Sequence, residues 1–297
     1  MNKIKTEIFK GAATALVTPF KDGKIDEEAF KNLIDFQIEN EISAIVVCGT
    51  TGEASTMSVE EHLRCVEIAV NHTAGRVPVI AGSGSNCTKK SVYLSQKSCE
   101  LGADGLLVIT PYYNKATPDG LIKHFSAIAD SVNKPIILYN VPSRTGVSIP
   151  LNVYKALANH ENIAGVKEAS GIFSEIAMLS ASCGDKYAIY SGNDDQTLPI
   201  LSLGGSGVIS VVSNIIPREM SALCKLYFDG DCVSAQKKQL SLIELINVVF
   251  CEVNPIPIKY AMSLAKLCSG EIRLPLTAPT DGSKDRIFEC LKKYELI

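Results

Sequence analysis

The 297 residues include no tryptophan and only 6% aromatic residues, and their lysines and arginines form no run longer than two. Without basic runs interleaved with aromatics, the chain lacks the electrostatic footprint of a nucleic-acid surface. A formal net charge of −3 implies no partner of opposite charge. No apolar run reaches the length that spans a bilayer, so no membrane partner is expected. The opening Met1-Asn2-Lys3-Ile4-Lys5 lacks the apolar stretch and small-residue cleavage site of a secretory signal, and a cytoplasmic location is expected.

Metal-ligand spacing is missing as well. The ten cysteines contain no C-x-x-C pair, and the four histidines (His62, His72, His124 and His160) are scattered rather than paired on one helix face, so no metal is expected. The cysteines read as reduced and buried, with Cys48, Cys65 and Cys251 in small apolar positions of strand or helix patterns. The histidines read as surface or helix-cap residues. Gly82-Ser83-Gly84-Ser85-Asn86-Cys87 has the look of a dinucleotide loop, but Cys87 stands where the third glycine would be needed.

What the chain has is regular alternation. With 46% hydrophobic residues it can bury the core of one large barrel or two small domains. β-branched runs recur at residues 11–18, 43–49, 77–82, 105–110, 135–140, 163–167, 187–191 and 207–212. Segments of helical period lie between them, such as 60–69, with Leu63, Val66 and Ala69 inward, and 153–158. Eight βα units without a linker or composition change predict a closed (β/α)8 TIM barrel over residues 1–230. Residues 231–297 then form a C-terminal helical extension packed on the barrel, with helices at 234–250, 257–267 and 284–294.

In such barrels chemistry sits at the carboxyl ends of the strands. Lys167 ends the sixth run, and alternation puts it inside with Gly165 and Ala169 while Val166 and Glu168 face the helices. Low dielectric disfavours an ammonium, so a lysine there becomes a nucleophilic amine able to form a Schiff base; a lysine with its head in water is the ordinary alternative. Tyr139 shares its side with Ile137 and points into the mouth one strand away. It can relay protons, and Arg144 on the following loop can grip a carboxylate with its fork, though a structural tyrosine and a surface arginine fit the pattern too. Gly49-Thr50-Thr51-Gly52-Glu53 after the second run is either an anion cradle or a plain capped turn. The Asp194-Asp195 pair reads as a helix N-cap rather than a hard-metal site.

Six segments together carry a resemblance that spans essentially the whole chain. They are Gly49-Thr50-Thr51-Gly52-Glu53, Thr110-Pro111-Tyr112-Tyr113-Asn114, Tyr139-Asn140-Val141-Pro142-Ser143-Arg144-Thr145-Gly146, Gly165-Val166-Lys167-Glu168-Ala169-Ser170, Ser191-Gly192-Asn193-Asp194 and Asn254-Pro255-Ile256-Pro257-Ile258-Lys259. With them the chain resembles the dihydrodipicolinate synthases of the pyruvate-dependent class I aldolase superfamily.

The resemblance implies that Lys167 forms an imine with pyruvate, whose enamine attacks L-aspartate 4-semialdehyde to give 4-hydroxy-tetrahydrodipicolinate for lysine and diaminopimelate biosynthesis. It implies no metal or organic cofactor, because the protonated imine is the electron sink. It gives Thr50 a bridging role between Tyr139 and a Tyr113 from a neighbouring subunit, hence a homo-oligomer, a tetramer built as a dimer of dimers. Thr51 would hold the pyruvate carboxylate, the backbones of Gly192 and Ile209 would line that site, and Arg144 would receive the semialdehyde's carboxylate.

The alternative within the superfamily is an N-acetylneuraminate lyase or 2-keto-3-deoxy sugar-acid aldolase, which usually carries an apolar residue where Arg144 stands. A regulatory site is implied at His62, Asn86 and Tyr112. There Lys90 replaces a carboxylate, which predicts weak or absent lysine inhibition.

Overall fold

The computed structural model describes residues 6–297; the reading of residues 1–5 lies outside the described residues. Eight parallel strands close on themselves: β1 (Gly11–Ala15), β2 (Ala44–Val47), β3 (Val79–Gly82), β4 (Gly105–Ile109), β5 (Ile136–Asn140), β6 (Ile163–Glu168), β7 (Ala188–Ser191) and β8 (Gly207–Ser210). Each pairs with its sequence neighbours, and β1 pairs with both β2 and β8. The strands are buried along their length, as a sheet covered on both faces requires. One hydrophobic layer fills the barrel, with Ile137, Tyr139 and Ile209 in it, and a second layer, holding Leu138 and Val166, lies between strands and helices. The two-residue alternation read for β5 and β6 therefore holds.

Eight helices surround the barrel: α1 (Glu27–Glu39), α2 (Val59–Thr73), α3 (Thr88–Glu100), α4 (Pro118–Ala129), α5 (Leu151–Leu157), α6 (Phe173–Cys183), α7 (Thr197–Ser202) and α8 (Pro217–Phe228). Local chemistry sets their starts. Ser58 and Glu61 form a reciprocal capping box on α2, and Thr117 caps α4 just ahead of Pro118. A two-stranded ribbon, Phe20–Lys21 with Lys24–Ile25, joins β1 to α1. Three more helices follow: α9 (Cys232–Val248), α10 (Ile256–Leu264) and α11 (Asp281–Lys293).

Two strands are shorter than their apolar runs, because side chains take over where the ladder would continue. After β1, the amide of Val17 donates to Asn214 Oδ1 at 3.0 Å. After β8, the amides of Val211 and Val212 donate to Asp194 Oδ2 at 3.0 and 3.1 Å. The β2 run ends at Val47 because Cys48 turns into the left-handed region, φ 54°.

Two expectations are corrected. His62 and His124 are not surface residues: they lie on the inward faces of α2 and α4 and are buried. Nor are the unpaired cysteines uniformly buried, since Cys251 is half-buried and Cys87 and Cys232 are exposed. The last two sit at helix starts, Cys87 at the cap of α3 and Cys232 as the first residue of α9, where the chain comes to the surface.

Candidate active site

The register of β5, β6 and β7 aligns Tyr139, Lys167 and Tyr190 across three strands. All three side chains enter the barrel, and Lys167 Nζ lies 4.5 Å from the centroid of the Tyr139 ring. Lys167 is only 5% exposed. Room for it comes from glycine: a Cβ on Gly192 would fall 2.6 Å from Ala169 Cβ and 3.2 Å from Lys167 Cε. Gly165 is equally constrained, since a Cβ there would lie 2.7 Å from the carbonyl oxygen of Ala188.

Burial lowers the Lys167 ammonium to about 8, against the attraction of Asp194 and with help from the positive charge of Arg144. Burial also raises the Tyr139 phenol, while Arg144 and a hydrogen bond with the Thr50 side chain pull it back. A minor but usable fraction of the amine is thus neutral at physiological pH, and the phenol keeps its proton.

A cavity of about 190 Å³ opens above Lys167, and Thr50, Thr51, Tyr139, Arg144, Gly192 and Asn254 all reach it. The threonine loop is held in shape at both ends. Cys48 and Glu53 are left-handed (φ 54° and 56°), and Gly52 accepts from Thr18 Oγ1 at 2.8 Å. Glu53 meets Lys259 at 2.6 Å, both side chains being 1% exposed, and Glu53 also accepts the Arg273 amide at 3.2 Å. The C-terminal extension therefore secures the loop that carries Thr50 and Thr51.

No local pattern in the sequence encodes this support. Asn254, between α9 and α10, donates from Nδ2 to Thr51 Oγ1 at 2.9 Å, and its main-chain oxygen accepts from Arg144 Nη2 at 3.1 Å. Its only signal in sequence was membership of the Asn254-to-Lys259 segment. Asp194 is a second correction: it is not a helix cap but a buried carboxylate bound to the amides after β8, tying the β7 and β8 loops together. Its surroundings are those loop amides, so a carboxylate needing partners found them 17 and 18 residues on rather than at its own helix.

Other predicted residues lie apart. Tyr113 is 90% exposed, with φ 73°, and does not enter the cavity of its own chain. Ile209 packs inside the barrel and is not on the cavity wall. His62, Lys90 and Tyr112 line a second cavity of about 360 Å³ that adjoins the first through Thr50, Tyr139 and Arg144. Asn86 is not on its wall; its carbonyl accepts from Asn114 Nδ2 at 2.9 Å. Burial, with the charge of Lys90 adding, lowers His62 to about 4. Among the described residues, no helix is long and apolar enough to cross a membrane.

The fold and this cavity are those of a lyase of the class I aldolase type. The chain belongs to the dihydrodipicolinate synthetase family, whose model matches residues 8–294. It is 48% identical over 290 residues to a 4-hydroxy-tetrahydrodipicolinate synthase of Pelobacter propionicus, covering 98% of this chain and 100% of that one. A crystal structure of dihydrodipicolinate synthase from Aquifex aeolicus superposes with a TM-score of 0.95 at 44% identity, over 97% of this chain and 99% of that one. The chloride-inhibited dihydrodipicolinate synthase from Acinetobacter baumannii, solved complexed with pyruvate, has a TM-score of 0.95 at 40% identity, over 97% and 99% of the two chains.

Proposed function

We propose that the chain condenses pyruvate with L-aspartate 4-semialdehyde through an imine on Lys167, giving 4-hydroxy-tetrahydrodipicolinate for lysine and diaminopimelate biosynthesis. The neutral amine attacks the keto carbon and water leaves. Loss of a methyl proton from the protonated imine gives an enamine, whose carbon attacks the aldehyde; the amine of the semialdehyde then adds to the imine carbon and expels the Lys167 amine, closing the ring and freeing the enzyme. Tyr139 and Thr50 relay the protons, Thr51 and the Gly192 backbone hold pyruvate, and Arg144 takes the carboxylate of the semialdehyde. No external cofactor takes part.

One observation carries this reading: a lysine 5% exposed, 4.5 Å from a phenol ring, on a cavity that Thr51 and Arg144 also line. Tyr113 completes the relay from a neighbouring copy in a homotetramer, a dimer of dimers working in the cytoplasm, and its 90% exposure in the single chain supports that role.

Turnover assays with each second substrate test the proposal. Condensation with aspartate semialdehyde and no cleavage of N-acetylneuraminate or a 2-keto-3-deoxy sugar acid is expected; the reverse preference contradicts it. Inhibition by free lysine is expected to be weak or absent, because an effector ammonium at ~4 Å from Lys90 is repelled by on the order of 4 kcal/mol at an effective dielectric of about 20. Strong inhibition at submillimolar lysine would overturn that expectation.

A further inference from the structure

The helix-facing side of β5 and β6 is apolar up to its last rung, where Asn140 and Glu168 stand opposite each other, one residue past the opposed pair Tyr139 and Lys167. Both side chains are buried. Asn140 Nδ2 donates to the two carboxylate oxygens at 3.1 and 3.0 Å, and the Ser170 amide donates to Oε1 at 2.7 Å. The Tyr154 hydroxyl reaches Oε2 from α5 at 3.4 Å. All of these donors are neutral, so the buried charge has less support than an ion pair would give, and an apolar residue would fill this layer at lower cost. Stability does not account for the carboxylate, and the imine chemistry does not touch it.

The ladder below the pair supplies a reason. Ile136 is opposite Ile163 but Ile137 is opposite Gly165, so β6 carries one extra residue, Ala164, near its start. The alternation shifts there: Ile163 and Val166, three apart, both pack in the layer between strands and helices. Which way Lys167 points therefore depends on where the extra residue is taken up, since a one-residue change of register turns a strand's side chains to the opposite face. The bonded Asn140 and Glu168 fix the register just past Lys167. Their main-chain oxygens also accept from the amides of Ala169 and Gly192 at 2.9 and 2.7 Å, and both of those residues lie on the cavity wall with Lys167.

We propose that Glu168, acting through Asn140, is a positioning residue: bonded across the outer face of β5 and β6, the two keep the Lys167 amine against the Tyr139 ring on the inner face. This rests on the imine chemistry proposed above. It extends that chemistry to a pair of residues that meets no substrate.

A swap of polarity tests it. Glu168→Gln breaks the pair by turning an amide donor towards the Asn140 or Ser170 donor, and Asn140→Asp breaks it by opposing two carboxylates. The double variant restores the bond in the reverse direction, with the new amide donating to the new carboxylate and still accepting from Ser170. The Ile149 amide, which donates to Asn140 Oδ1 at 3.0 Å, keeps its acceptor. For the wild type and the three variants, kcat, KM for pyruvate and Tm are measured, with the assays held well below the lowest Tm. Each single variant is expected to lose about ten- to a hundred-fold in kcat, with KM for pyruvate changed by less than about threefold because the Thr51 loop is untouched. The double variant is expected to recover to within about fivefold of the wild-type kcat.

A merely structural pair would lower Tm and leave the kcat of the folded protein unchanged, and that result would overturn the proposal. So would a double variant no more active than its weaker parent. If a single variant does not fold, the double decides: recovered kcat supports the proposal, and an unfolded or inactive double overturns it. Borohydride trapping separates this failure from that of the underlying reading. A wild type that forms no pyruvate adduct on Lys167 overturns the imine chemistry and this inference together, whereas an adduct in the wild type with kcat unmoved in the single variants overturns the inference alone.

Discussion

A lysine held inside a barrel destabilises the fold while it stays protonated, and Lys167 makes this measurable. Its folded-state value of about 8 lies below the 10.5 of a free side chain. The unfolded chain therefore binds more protons between those pH values, and this group's contribution to stability rises with pH from about 8 to 10.5, by roughly 3 kcal/mol in total. Lys167→Met is expected to abolish activity and to raise Tm at pH 7, by an amount on the order of 1–3 kcal/mol, with the gain shrinking towards pH 10. Thermal melts at several pH values check this; a variant that melts lower than wild type at pH 7 contradicts it. Adduct formation with pyruvate should rise about tenfold per pH unit until pH 8 and then level off. At this scale Lys167 and Tyr139 were legible because a strand's two-residue period tells inside from outside. Asn254 was not, because it sits between two helices and its partner Thr51 is 203 residues away.

Between elements, the energetic stake lies in the ion pair of Glu53, in the loop after β2, with Lys259 on α10. A pair at 2.6 Å with both side chains 1% exposed adds little net stability over an apolar pair, but losing one member strands the other charge. Glu53→Gln is expected to cost about 3–5 kcal/mol and to raise the KM for pyruvate by loosening the threonine loop. The double variant Glu53→Leu with Lys259→Met should recover part of the stability. Denaturant melts of the singles and the double form the test, and strictly additive losses would contradict a coupled pair. The eight strands and the helices between them were legible as alternating periods of two and 3.6 residues. Their ends were not, because Asn214 and Asp194 replace ladder partners with side chains from other parts of the chain.

For the molecule as a whole, closure of the barrel gathers the ends of β2, β5, β6 and β7 around one cavity, and the C-terminal extension supplies part of its wall through Phe250 and Asn254. The barrel could be read from eight repeats in sequence, whereas the reach of the extension into the site depends on packing that no local pattern encodes. Tyr113, 90% exposed in the single chain, sets the expectation for assembly. Light scattering should find a homotetramer, and dilution to monomers should lower kcat; a fully active monomer would contradict a relay that borrows Tyr113. The imine proposed on Lys167 stands beneath all of this, and mass spectrometry after incubation with pyruvate and borohydride tests it most directly. A single reduced pyruvate adduct on the peptide containing Lys167, absent from Lys167→Ala, is expected; no adduct, or one on a different lysine, would contradict the account.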